Sequence, residues 1–271
     1  MKSITYFFGL LFIAANCFSS CSNEEDIIDP TANKHIQNIQ TKATQEESEI
    51  FTYTIIYKDK EYKTLCESRN DSLFILDEDI DNLQKRIFSN PKSASLVLSD
   101  DVIEYFDSQE EFLNKYGIRE LTKAEEEKVR LRPQTRDPQY NSLAYAVLFD
   151  DTRFRDTRYE MDITDPDQDF TIKKLKDYGM NDKTSSIKVQ YTLGDENYCA
   201  ILTVWEDSDF NYGDNDKTKH RTNFIATWRH TKQEWGNLKK IYCFNAHDSW
   251  NDRISSCAFR IGAVGSAPPE Y

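Results

Sequence analysis

Hydrophobic positions along this chain fall into four textures. Residues 4–15 form one apolar run behind a single lysine, Lys2. A run of about a dozen is too short to span a bilayer and suits the centre of a signal peptide, here 1–20, removed on export. Residues 21–48 are mostly polar, rich in Thr, Gln, Glu, Asn and Lys, and predict a flexible tether. From 49 to 130 apolar runs return in mixed periods. Segments 51–57, 62–66 and 72–76 read as strands, and 77–88 sets Ile80, Leu83 and Ile87 at helical spacing behind a capping Asp77. Thr122 with Glu125 three positions on is a capping box that opens another helix. The expectation is a small α+β module over 49–130. Residues 131–142, polar and holding two prolines, read as a linker.

After 143 the pattern is all strand. Eight short candidates follow at 143–149, 158–163, 170–175, 186–191, 200–205, 222–228, 238–244 and 256–261. They divide into two sets of four, which predicts a sandwich or barrel. Before the last strand of each set stands the same six-residue string, Asn-Asp-Lys-Thr-Ser-Ser at 181–186 and Asn-Asp-Arg-Ile-Ser-Ser at 251–256. The repeat is larger than the string. Each half opens with an aromatic residue, four positions and then Phe: Phe149 to Phe154, and Trp205 to Phe210.

An aromatic, four residues, Phe, and later N/D-N/D-x-x-S/T-S resembles the Greek key of the βγ-crystallin family, in its calcium-binding form. The resemblance covers 143–263 and implies an eight-strand, all-β Greek-key sandwich with keys at 143–191 and 200–263. It implies two Ca²⁺ sites at the end of the sandwich. Ser185 and Ser255 would give hydroxyls, and Lys183 and Arg253 backbone carbonyls. Asp182 and Asp252 would each reach across to the other key. A carbonyl near Asp150 or Glu206 would complete each set, with Asn181 and Asn251 supporting the loops. Ser186 and Ser256 would be structural, bonding the folded hairpins. Oxygen donors of this kind suit calcium, and their low charge implies affinity of micromolar order or weaker. The family's Gly two places after the Phe is replaced by Asp156 and Tyr212, which bears on the hairpin geometry. The fold's pairing of first and fourth strands also implies a Cys199–Cys257 disulfide.

A net charge of −13 argues against nucleic acid as a partner. Ser19-Ser20-Cys21 resembles a bacterial lipobox, with Cys21 as the acylated residue. The Glu24-Glu25-Asp26 cluster behind it resembles the surface-export signal of Bacteroides-group lipoproteins. The expected location is the outer membrane, held only through the lipid anchor. The four His share no metal-ligand spacing, and neither a G-x-S-x-G string nor a phosphate-binding Gly loop occurs, so enzymatic function is not expected. Two strings, Asp165-Pro-Asp167-Gln-Asp169 and Asp207-Ser-Asp209-Phe-Asn211, begin like EF-hands but lack the sixth-position Gly and twelfth-position Glu. The reading is a calcium-binding surface lipoprotein. The alternatives are an adhesion or recognition module with structural calcium, bound to a protein or glycan partner, and an exported hydrolase inhibitor.

Overall fold

The computed structural model describes residues 48–131, 142–211, 220–244 and 247–269. The signal peptide, Cys21, all but the last residue of the tether, most of the linker and Tyr212 lie outside the described residues. The chain runs β1 (Ser48–Tyr57), β2 (Lys60–Arg69), β3 (Ser72–Ile75), α1 (Glu78–Phe88), β4 (Ala94–Ser99), β5 (Val102–Phe106), α2 (Gln109–Tyr116) and α3 (Lys123–Arg130). It continues through β6 (Ala144–Asp151), β7 (Arg155–Ile163), β8 (Phe170–Ile172), β9 (Ser186–Tyr191), β10 (Tyr198–Trp205), β11 (Arg221–Thr227), β12 (Lys232–Trp235) and β13 (Ser256–Ala263).

The helices start where their side chains can cap. Asp77 accepts from the amides of Asp79 and Ile80 ahead of α1, and Thr122 and Glu125 form the expected capping box on α3. α2 ends at Gly117, which takes the left-handed conformation (φ 62°) and lies against Gly265.

The C-terminal strands form two Greek keys that exchange their third strands. One sheet is ordered β12-β9-β6-β7: three strands of the first key and the third strand of the second. The other sheet contains β11-β10-β13-β8: three strands of the second key and the third strand of the first. In each key the first strand pairs antiparallel with the fourth, β6 with β9 and β10 with β13. The expected eight-strand Greek-key sandwich is present, and its alternating apolar positions fill one core with Ile163, Leu202 and Phe259 among its fully buried members.

Two strands differ from expectation. The run at 238–244 is not a strand. Asn237 caps a 3₁₀ turn at Leu238–Lys240, and the buried side chains of Ile241, Tyr242, Cys243 and Phe244 lie in irregular backbone. The seventh strand is β12, Lys-Gln-Glu-Trp, an edge strand in which only Trp235 is fully buried. Its polar residues carry no alternation that a hydrophobicity reading can see. β8 likewise stops short of the expected 175, at Ile172, and Leu175–Tyr178 forms a 3₁₀ turn matching that at Leu238–Lys240.

The expected boundary near 140 does not separate two bodies, because all the described residues fall within one compact unit. Residues 48–106 contribute strands β3-β2-β1-β5-β4, and β4 joins β11 in parallel over Ala94–Leu96, giving a nine-stranded sheet. The junction is aromatic. Tyr53 meets Tyr242 at 5.4 Å between centroids, Phe88 meets Phe244 at 5.2 Å and Tyr105 meets Phe244 at 5.7 Å. Such pairs add about 0.5–1.5 kcal/mol each beyond area burial. Sheet edges are short or charged. β3, β8 and β12 have three or four residues, and the longer edge β7 carries Arg155, Asp156, Arg158, Glu160 and Asp162.

The implied Cys199–Cys257 bridge is absent. Cys199 lies opposite Gly262 and Cys257 opposite Val204, so the two sit five register steps apart and on opposite faces of the sheet. Cys66, Cys199, Cys243 and Cys257 are all buried, and none is in a disulfide.

Candidate metal centre

Each key begins with a folded hairpin. After β6 the backbone takes left-handed φ at Arg153 (58°) and Phe154 (61°), and after β10 at Asp209 (56°) and Phe210 (57°). These conformations are uncommon for residues with a side chain and need support from elsewhere. Ser186 and Ser256 supply it. The Ser186 hydroxyl donates to the Asp151 carbonyl at 2.7 Å and accepts from the Phe154 amide at 3.0 Å. The Ser256 hydroxyl donates to the Asp207 carbonyl at 2.6 Å and accepts from the Phe210 amide at 3.2 Å. The corner aromatics then meet, Phe149 with Phe154 at 5.7 Å and Trp205 with Phe210 at 4.8 Å. The left-handed pair at the Phe itself was not legible in the sequence, since nothing marks Arg-Phe or Asp-Phe as turn formers. Asp156, standing where the family has Gly, adopts φ 68° and accepts from the Thr157 amide with its own carboxylate.

The preceding five residues of each string form a pair of interlocked loops. Ser185 donates its hydroxyl to Asp252 at 3.0 Å, and Ser255 donates to Asp182 at 2.7 Å. Each loop's acid therefore reaches the other loop's hydroxyl. The backbone repeats the exchange, with the Asp182 amide on the Ile254 carbonyl (3.3 Å) and the Asp252 amide on the Thr184 carbonyl (3.1 Å). The 3₁₀ turns join it across the keys, the Leu238 amide on the Ser185 carbonyl (3.0 Å) and the Leu175 amide on the Ser255 carbonyl (2.9 Å). Both acids hold left-handed φ, 50° at Asp182 and 54° at Asp252, and Asp tolerates that region better than most residues.

Asn181 and Asn251 each donate a side-chain amide to the acid that follows, the latter pair at 2.8 Å. The Ser185 amide bonds the Phe149 carbonyl and the Ser255 amide the Trp205 carbonyl, so each loop lies against the strand end carrying Asp150 or Glu206. Lys183 reaches toward Asp150 at 3.9 Å, and Arg253 pairs with Glu206 at 2.9 Å and Asp248 at 2.8 Å. Burial holds the Asp252 carboxyl above the usual carboxylate range, opposed by its bond from Ser185.

The donor set fits a hard cation. Among the described residues no three His, Cys, Asp or Glu side chains cluster closely enough to hold a metal by themselves. Any ion here must draw on hydroxyls and backbone carbonyls as well as carboxylates, which is calcium's habit rather than zinc's. A buried acceptor also lacks a partner: Asn251 Oδ1, on a residue only 6% exposed. The Asn251 amide is oriented by Asp252, because rotating it would set two oxygens against each other. Thr184 Oγ1, in the first loop, is likewise buried without a partner.

Other acidic strings have structural uses. Asp165 and Asp167 clamp Arg130 of α3 at 2.9 and 2.6 Å.

Strand exchange, folded hairpins and interlocked loops together define a βγ-crystallin-like Greek-key sandwich. No family profile and no curated protein matches the chain. Solved structures do. A βγ-crystallin from Ciona intestinalis is 19% identical over 42% of this chain and 95% of its own, with a TM-score of 0.25. A structure concerned with the evolution of the eye-lens βγ-crystallin domain fold is 18% identical over 50% of this chain and 96% of its own, with a TM-score of 0.26. The strand exchange between the two sheets carries the fold class.

Proposed function

We propose that the protein is an exported lipoprotein whose crystallin-like sandwich binds two calcium ions and uses them to lock the two keys together. The first ion would take the Ser185 hydroxyl, the Lys183 carbonyl, Asp252 and a carbonyl near Asp150. The second would take the Ser255 hydroxyl, the Arg253 carbonyl, Asp182 and a carbonyl near Glu206. The observation that carries the reading is the reciprocal Ser185–Asp252 and Ser255–Asp182 exchange. An ion in either place gains oxygens from both keys, so unfolding one key empties both sites. Occupancy at about a hundred times the dissociation constant adds about 3 kcal/mol per site.

Calorimetric calcium titration of the whole protein tests it. Two sites are expected, with Ser185→Ala weakening mainly the first and Ser255→Ala mainly the second. Calcium should raise the melting temperature by about 5–10 °C per occupied site. Absence of both heat and a melting shift sinks the calcium reading. The anchor is tested separately: Cys21→Ser should release the protein from the membrane fraction.

A further inference from the structure

Beyond the two keys, the residues N-terminal to the sandwich place a turn beside one of the two loops. Asn70 and Asp71 join β2 to β3 with left-handed φ of 51° and 63°, a tight two-residue hairpin. The strand that follows is pinned to the segment entering the second loop. The Leu73 amide bonds the His247 carbonyl at 2.8 Å, His247 Nδ1 meets the Leu73 carbonyl at 3.2 Å, and the His247 ring stacks on Phe74 at 4.8 Å. Ser72 forms a bridge with Asp248, whose carboxylate holds Arg253 at 2.8 Å.

That pinning makes the turn one wall of an open cleft of about 570 Å³. Ser255, Arg253, Asp182 and Glu206, every residue expected to serve the second site, line this cleft, whereas of the first site's set only Asp252 does. Its lining includes six acidic residues, Asp71, Asp182, Glu206, Asp207, Asp248 and Asp252, and one arginine, Arg253. Asn251, which carries the buried unpartnered oxygen, lines it too. Acidity alone would be a solvated surface. An acceptor left without a donor in the same wall points to a cation.

We propose that the β2–β3 turn is a third contributor to the second calcium site, with Asp71 supplying a carboxylate that neither key provides. The inference rests on the calcium reading above and adds that the two sites are unequal. Asp71 pairs with Lys239 at 2.7 Å, so a divalent cation competes with that ammonium for its oxygen. A doubly charged ion in a carboxylate-lined cleft wins that competition at low ionic strength, and salt screens the advantage.

Calorimetric titration of the whole chain with calcium chloride tests it, using Ser255→Ala and Ser185→Ala to assign the two sites. Asp71→Asn keeps a residue that tolerates the left-handed turn at an exposed position. It should weaken the Ser255-dependent site roughly tenfold and the Ser185-dependent site less than about twofold. Lys239→Ala, which removes the competitor, should tighten the Ser255-dependent site. Unfolding in chelator shows that the variants remain folded. If both sites bind in Asp71→Asn as in the parent, or weaken equally, the turn is not a ligand and the inference fails while the calcium reading stands. If the parent protein takes up no calcium, the reading itself fails and this inference falls with it.

Discussion

The two serines of each string are adjacent in sequence and opposite in role, and Ser186→Ala separates them. Ser186 is fully buried, and its hydroxyl makes two bonds to the backbone of the folded hairpin, at 2.7 and 3.0 Å. Alanine nearly conserves its volume, so the loss is mainly the two hydrogen bonds, worth about 1 kcal/mol each net. Phe154 is only half-buried, which lets water recover part of what is lost and argues against a larger figure. A loss of about 2 kcal/mol lowers the melting temperature of a protein this size by about 4–8 °C. Ser185 makes one side-chain bond, to Asp252, and Ser185→Ala should cost less in chelator while removing much of the calcium increment. Circular-dichroism melts with chelator and with excess calcium measure both quantities. The expected order in chelator is parent, then Ser185→Ala, then Ser186→Ala, with Ser256→Ala matching the last. Parent-like melting of Ser186→Ala, or its loss of calcium heat without any melting change, would refute the division of labour.

Gly117→Ala should cost about 2 kcal/mol or more in urea unfolding, because a Cβ in the left-handed conformation would also stand 2.9 Å from the Gly265 backbone. Asp100 has a buried carboxylate oxygen without a partner, and burial pushes its pKa to about 6, opposed by Lys240. A folded pKa above the unfolded 3.8 means that the folded state binds more protons between the two values, so stability falls as pH rises through that window. Asp100→Asn should therefore match the parent near pH 3.5, gain on it up to about pH 6 and keep a constant advantage above, read from melts across pH. Cys66, Cys199, Cys243 and Cys257 should resist a thiol reagent until denaturant is added, since all are buried and burial pushes the Cys199 and Cys257 thiols up to about 12. Reaction of either in the native protein would count against the sheet register.

What the sequence revealed of the fold came from features with a strong local signal. The two strings, the aromatic-to-Phe spacing and seven of the eight sandwich strands lie where the pattern placed them. The strings were legible because each residue in them has a fixed geometric task, so their order resists change. β12 leaves no such signal, because an edge strand crossing to the other sheet buries only Trp235, and Lys-Gln-Glu has no periodicity to read. The run at 238–244 reads as a strand, yet its apolar tetrad, Ile241 to Phe244, fills the junction with the extension as irregular backbone. The disulfide failed on register, which two cysteines on paired strands do not reveal. Above all, the union of 48–106 with the second key was invisible. A parallel pairing of three residues and an aromatic junction between distant segments leave no mark on either segment alone.

That union changes what the sandwich is. A Greek key standing alone would leave β11 as an open edge with a row of unpaired amides and carbonyls, a template for aggregation. Here β4 takes that edge, and the sheet continues to β3, a four-residue strand too short to recruit another chain readily. The same sheet that closes the edge brings its far hairpin back to His247 and Asp248, so the closure passes directly into the second loop. Among the described residues the first loop's Lys183 stands 3.9 Å from Asp150, where Arg253 is held by two carboxylates at 2.9 and 2.8 Å. The two halves of the repeat are therefore alike in sequence and unlike in support. The second loop is braced from three sides, by the other key, by its own hairpin and by the extension. A difference between the loops should consequently arise from residues far outside the repeat, which is why comparing the two strings with each other cannot reveal it.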